Sequence, residues 1–186
     1  MTKELKSYNF LECNNLDIIS TKIYKFIQNK TTLLTDYAEG WQFVDAKSLL
    51  LENLELLEFF NNNKLYVNNA SVVILYNDLQ LHIDELPMVA KVNIPVSNTY
   101  GWVNRWYKLG EDEIALLPKT PNQFGSVVED VSKLSNLILA DEIYNLNRPI
   151  VFNSRIPHSV IKLTPEKLPR IIASFTFFNQ PIYKLK

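Results

Sequence analysis

The chain is short of cysteine and histidine: one cysteine, Cys13, and two histidines, His82 and His158, in 186 residues. A single cysteine excludes a disulfide framework within the chain and makes a cysteine-based zinc site implausible. Basic excess is missing too, with 19 Lys and Arg against 20 Asp and Glu, a net charge of −1 and a pI near 6.1. Without a cationic footprint, non-specific nucleic-acid binding is disfavoured, although a small basic groove stays open. The longest apolar runs fall far short of a membrane span. Met1-Thr-Lys-Glu-Leu-Lys-Ser7 lacks the apolar core of a signal peptide, so the expectation is a soluble, cytoplasmic protein. There are no repeats, low-complexity tracts or second-domain boundaries. What remains is an ordinary globular composition, 47% hydrophobic and 12% aromatic, at a length that suits one domain, residues 1–186, with a substantial core.

The first third, residues 1–63, reads as a largely helical buttress. Ile19, Ile23, Phe26 and Ile27 fall at helical spacing, with Asn15 or Asp17 as the start. A second helix is predicted from about Ala46 to Phe60, capped by Asp45 and leaving at Asn61–Asn63. Leu50, Leu54, Leu57 and Phe60 would make its apolar face, and Glu52, Glu55 and Glu58 its polar one. After Asn63 the pattern changes to short β-branched and aromatic runs between turns. The expected strands are Lys64–Val67, Ser71–Tyr76, Gln80–Asp84, Val89–Ser97, Trp102–Leu109, Glu113–Leu117, Glu142–Leu146, Pro149–Asn153, His158–Leu163 and Arg170–Phe178. Lys119-Thr-Pro-Asn122 reads as a loop. Residues 121–140 interrupt the series as an insertion, with Val127, Val131, Leu134 and Ile138 roughly helix-spaced, and such insertions often cover a site. The predicted fold class is mainly β with N-terminal helices: a sandwich or jelly roll over residues 64–186.

The two histidines stand in ligand-like context. His82-Ile83-Asp84 lies in a predicted strand, where residues two apart share a face, so His82 and Asp84 project together. His158 would have to come from another strand. Two imidazoles and one carboxylate on a β scaffold are the ligand types of a facial triad for non-haem Fe(II), with open positions left for chemistry. A His-x-Asp triplet taken alone is weak, since it arises by chance and reads as a satisfied polar pair. The last strand adds weight. Arg170, Ile172, Ser174 and Thr176 share one face, whereas Ile171, Ala173, Phe175 and Phe177 make a purely apolar one that should pack on neighbouring structure. An arginine inside a barrel requires an anion, and a carboxylate fits its planar fork. The ordinary alternative is a structural ion pair with a nearby Asp or Glu.

The order His82-x-Asp84, His158, Arg170, Ser174 resembles the Fe(II)/2-oxoglutarate-dependent dioxygenase superfamily, whose fold is the double-stranded β-helix, a cupin-like jelly roll. Residues 82–99 and Pro149-Ile-Val-Phe-Asn-Ser-Arg-Ile-Pro-His-Ser-Val160 are similar to its aspartyl/asparaginyl and prolyl hydroxylase-like branches. The resemblance covers about residues 71–178. Many members carry Arg-x-Ser; here the serine lies four residues on, still an even offset. The resemblance implies Fe(II) held by His82, Asp84 and His158. It also implies a 2-oxoglutarate cosubstrate whose distal carboxylate meets Arg170, helped by Ser174. The activity implied is hydroxylation of an amino-acid side chain, free or in a peptide, with release of succinate and CO2, so dioxygen and a small-molecule or peptide substrate are the expected partners.

Other residues carry less. Asn93 reads equally as a 2-oxo acid contact and as a backbone hydrogen bonder. Asn153 is a candidate to orient the imidazoles. Trp102, Trp106 and Tyr107 read first as core or sheet-face aromatics. Arg105 and Arg155 could meet an anionic substrate but default to solvated surface. Two other function classes stay open: a cupin-type metal enzyme that ignores 2-oxoglutarate, disfavoured by the scarcity of histidine, and a non-catalytic jelly-roll module.

Overall fold

A computed structural model describes residues 5–29, 40–84, 89–108, 119–121, 127–129 and 137–186. Strand β1 (Tyr8–Phe10) leads to helix α1 (Leu16–Asn29), strand β2 (Gly40–Val44) and helices α2 (Ala46–Glu52) and α3 (Leu54–Asn62). Then come β3 (Val67–Leu75), β4 (Leu79–Asp84), β5 (Ala90–Ser97) and β6 (Trp102–Lys108). The short β7 (Lys119–Pro121) and β8 (Val127–Glu129) precede β9 (Ile138–Tyr144), β10 (Ile150–Asn153), β11 (His158–Lys162) and β12 (Arg170–Phe177). A 3₁₀ turn, Pro181–Leu185, follows.

The strands form two six-stranded antiparallel sheets, ordered β1-β10-β5-β12-β3-β2 and β7-β8-β4-β11-β6-β9. Strands β3 to β6 switch sheets at every step, β9 to β12 do the same, and β12 returns to pair with β3 along its whole length. Closing the first strand on the last is what makes a jelly roll, and the expected fold class holds.

Side-chain alternation divides the apolar residues into two cores. On β3, Val72 and Ile74 face outward while Val73 and Leu75 face the space between the sheets. On β12, Ile171, Ala173, Phe175 and Phe177 pack against the helices, as the pattern predicted, and Ile172 points inward. Ile19, Ile23, Phe26 and Ile27 of α1 cover that outer face with Leu49, Leu56, Phe59 and Phe60. Phe60 lies edge-on to Phe175 and Phe177, at 4.8 and 5.5 Å between ring centroids.

The predicted helix from Ala46 to Phe60 is two helices. Asp45 caps the first, its carboxylate accepting from the Lys47 and Ser48 backbone N–H groups. Asn53 breaks it: its Oδ1 accepts from Leu56 N–H at 3.2 Å and its Nδ2 donates to the Ile19 carbonyl at 3.1 Å. Asparagine competes with the helix for backbone groups and favours caps. The break rotates the apolar face, so Leu56 and Phe59 are buried and Leu54 is 63% exposed.

The strand expected at Ser71–Tyr76 is the second half of β3, whereas the one expected at Lys64–Val67 is absent but for Val67, where β3 begins. Lys64, at φ 55°, ends α3 in a left-handed conformation and cannot begin a strand. Strands β1 and β2 were not predicted; β1, at three residues, is too short to show alternation. The 119–122 stretch is not a loop at Lys119–Pro121, which pairs with β8. Of the helix-spaced residues in 121–140, Val127 and Ile138 are strand residues, while Val131 and Leu134 lie outside the described residues. Strand β8 pairs with β4 at Ile83 and Asp84, so this insertion borders the His-x-Asp triplet. The predicted strand Glu113–Leu117 also lies outside the described residues.

Gly101 shapes the entry into β6. It has φ +77°, its N–H donates to Asn145 Oδ1 at 2.7 Å, and its carbonyl accepts from Leu163 and Thr164. A Cβ there would meet Pro165 backbone at 2.5 Å. Gly101→Ala should therefore lower stability by roughly 2 kcal/mol or more, from left-handed strain plus overlap with rigid backbone. A fall in the urea midpoint at unchanged m-value checks it.

Candidate metal centre

Strands β4 and β11 are neighbours, and their register sets His82 directly opposite His158, with ring centroids 4.3 Å apart. Asp84, two residues along β4, shares the inward face with His82 while Ile83 points the other way. One donor atom from each of His82, Asp84 and His158 lies within 4.8 Å of the others, and all three residues are buried. His82 Nε2 is 3.9 Å from Asp84 Oδ1, and His158 Nε2 is 3.9 Å from Oδ2. The sequence-predicted triad is brought together by the fold.

Both rings are oriented alike. His82 Nδ1 meets the Gln80 carbonyl at 2.8 Å, and His158 Nδ1 meets that of Ile156 at 3.0 Å. Each Nδ1–H donates to the carbonyl two residues earlier, which leaves each Nε2 lone pair facing the other donors. Backbone therefore does what was expected of Asn153, whose Oδ1 instead accepts from Arg155 N–H at 3.0 Å. Burial drives both imidazoles towards the neutral form, His158 down to about 3 and His82 below the ordinary histidine range. Burial pushes the Asp84 carboxyl up, but the attraction of Lys91, His158 and His82 outweighs it and brings the carboxyl down to about 2. At neutral pH the cluster presents two neutral imidazoles and one carboxylate.

The triad opens on a cavity between the two sheets. Arg170 lies in its wall with Asn93, Asn104, Ser174, Trp106 and Phe152. Arg170 is 2% exposed, and burial brings its guanidinium down to about 9, so it remains a cation at neutral pH. Nη2 donates to Asn104 Oδ1 at 2.8 Å, and the guanidinium carbon stands 5.8 Å from the Trp102 ring centroid. No carboxylate pairs with it among the described residues. Arg170 Nε, Asn104 Nδ2 and Asn93 Oδ1 are buried without a hydrogen-bond partner. The expected face of β12 is thus the cavity face, and Ser174 sits opposite Asn93 in the β12–β5 register.

Two cavity residues escaped the sequence reading. Lys91 sends its Nζ to 2.7 Å from Asp84 Oδ2. Asn104 holds Arg170. Period-two alternation could have found both: Lys91 shares a face with Asn93, and Asn104 lies midway between the inward Trp102 and Trp106. Trp102 and Trp106 are core residues, as expected, and Trp106 also walls the cavity. Of the two candidate arginines, Arg105 is engaged across β6 and β9 by Glu142 at 3.3 Å, away from the cavity. Arg155 donates from Nη1 to the Asp84 carbonyl and so lies beside the triad.

The depressed histidine values have a consequence for metal-free stability. The unfolded chain takes up protons on both histidines below about pH 6.5, while the folded protein resists them. The His158 contribution is complete above that pH and is lost as the pH falls towards 3, and that of His82 has the same sign. From His158 alone, stability between pH 6 and 4 should drop by about 1.4 kcal/mol per pH unit, and His82 adds to the fall in the same direction. Urea denaturation across that range measures the slope, and His158→Asn should remove about one proton from it.

No protein-family model matches the chain, and no curated protein sequence matches it. Solved structures do resemble it. EvdMO1 superimposes with a TM-score of 0.51 at 13% identity, over 92% of this chain and 47% of that one. ThoJ, described as a non-haem monooxygenase, gives 0.49 at 13% identity over 92% and 73%. A Pseudomonas putida prolyl-4-hydroxylase gives 0.42 at 10% identity over 92% and 86%. At such identities the likeness concerns the fold, and the protein is similar to EvdMO1 in its jelly roll.

Proposed function

We propose that this protein is an Fe(II)- and 2-oxoglutarate-dependent oxygenase, a single catalytic domain that hydroxylates an amino-acid side chain, free or in a peptide. The observation that carries the reading is one cavity with a triad of neutral imidazoles and a carboxylate, and a buried arginine without a carboxylate partner. The donor set fits Fe(II): two nitrogens and one oxygen from adjacent strand positions leave coordination sites free. The unpartnered Arg170 Nε and Asn104 Nδ2 fit a carboxylate, which would satisfy both.

In this reading His82, Asp84 and His158 hold the metal, and the Gln80 and Ile156 carbonyls fix the ring orientations. Arg170 binds the distal carboxylate of 2-oxoglutarate. Asn104 aims the guanidinium and offers its own amide N–H, with Ser174 and Asn93 alongside. Iron and cosubstrate together supply the oxidative chemistry, in which dioxygen places one oxygen in the substrate and one in succinate as CO2 leaves. The sheets keep the chamber dry, which strengthens the Arg170–carboxylate pair and protects the reaction from side paths.

Anaerobic addition of Fe(II) and then 2-oxoglutarate should produce a weak visible charge-transfer band that is absent in His82→Ala. Arg170→Ala should weaken 2-oxoglutarate binding by roughly 30-fold or more, the cost of losing a charge-assisted pair, while leaving Fe(II) affinity nearly unchanged. Metal binding without a band would point to a cupin-type enzyme that ignores the 2-oxo acid; no metal binding would leave a non-catalytic module.

A further inference from the structure

Lys91 has no task in the mechanism above, yet it is a buried cation within the reaction chamber. Its side chain is 11% exposed, and its ammonium lies 2.7 Å from Asp84 Oδ2. Buried charges of this kind persist only when compensated. Among the described charged residues lining the cavity, Asp84 is the one carboxylate, set against Lys91 and Arg170. Among those described side chains, two cations face one carboxylate, a surplus of one positive charge.

Loading the site does not remove that surplus. A divalent ion raises it by two and draws on the Asp84 carboxylate, the partner of Lys91. A doubly charged 2-oxo acid lowers it by two again, with its distal carboxylate at Arg170. One positive charge is left over, and the cation whose partner has been drawn away is Lys91. Arg155, donating to the Asp84 carbonyl, keeps the potential on that side positive. A low-dielectric chamber with uncompensated positive charge selects an anion.

We propose that Lys91 is a specificity-determining residue, which binds an anionic group of the substrate, a carboxylate, beside the metal. The inference rests on the oxygenase reading and narrows it to acidic substrates. A carboxylate at Lys91 would restore charge balance and hold its neighbouring carbon close to the triad. The site would reject the isosteric amide, which leaves the ammonium uncompensated.

Matched acid and amide probes test this: phenylacetate against phenylacetamide, and N-acetylglycine against N-acetylglycinamide. They are titrated by calorimetry and ligand-observed NMR into protein loaded with Zn(II) and 2-oxoglutarate. The wild type should prefer the acids by about tenfold or more, the worth of a charge-assisted pair. Lys91→Arg should retain the preference and Lys91→Met should lose it, with 2-oxoglutarate affinity held within about threefold in both. Thermal melts establish that each variant is folded. Equal affinity for acid and amide in the wild type, or no acid binding, would overturn the proposal. So would a parallel loss of 2-oxoglutarate affinity in Lys91→Met, which would assign the lysine to the cosubstrate. Should the wild type fail to bind 2-oxoglutarate, the oxygenase reading falls separately, and the acid–amide comparison on Zn(II)-loaded protein decides the role of Lys91.

Discussion

A carboxylate held between two β-sheets sets the terms for the rest of this molecule. Asp84 is buried, and burial alone raises its pKa. The Lys91 ammonium at 2.7 Å holds it ionised. Setting that charge beside Lys91 and both imidazoles takes three strands, β4, β5 and β11, in fixed register. A slip of β4 by one residue would turn His82 and Asp84 out of the chamber and bring Ile83 in. The apolar residues on the same strands prevent such a slip, since each strand has one face that must stay dry.

The division into two cores explains how a polar chamber survives inside a protein of this size. The outer core, helices on the sheet that holds β3, β5 and β12, is almost purely apolar. The inner core, between the sheets, mixes Trp102, Trp106, Phe152 and Ile172 with His82, Asp84, Lys91, Asn104, His158 and Arg170. Unpartnered donors and acceptors there are costly for a protein whose only task is to fold. Their concentration around one cavity, next to the His82–Asp84–His158 cluster, suits a binding site. The helices supply the apolar burial that offsets it.

Much of the site was legible because strands obey a period of two. That rule placed His82 with Asp84, Arg170 with Ser174, and the apolar face of β12 against its neighbours. Asn53 and Lys64 were misread because each acts through a local backbone preference that overrides the surrounding apolar pattern. The helical spacing read over 121–140 misled because Val127 and Ile138 belong to separate strands. The orientation of the imidazoles could not have been read at all, since it depends on the Gln80 and Ile156 carbonyls, groups that every sequence carries.

The order of residues along the chain determined which side chains share a face, where helices give way to strands, and that a histidine-poor protein keeps both histidines in ligand context. Tertiary structure decided which faces meet. Only the β4–β11 register sets His82 opposite His158, and only the folding of β5 over that pair brings Lys91 to Asp84. Only the crossing from β12 to β6 gives Arg170 its single amide partner. Alternation is a property of one strand and can be read from it. Pairing and charge balance are properties of several strands at once, and they exist only when the sheets close on each other.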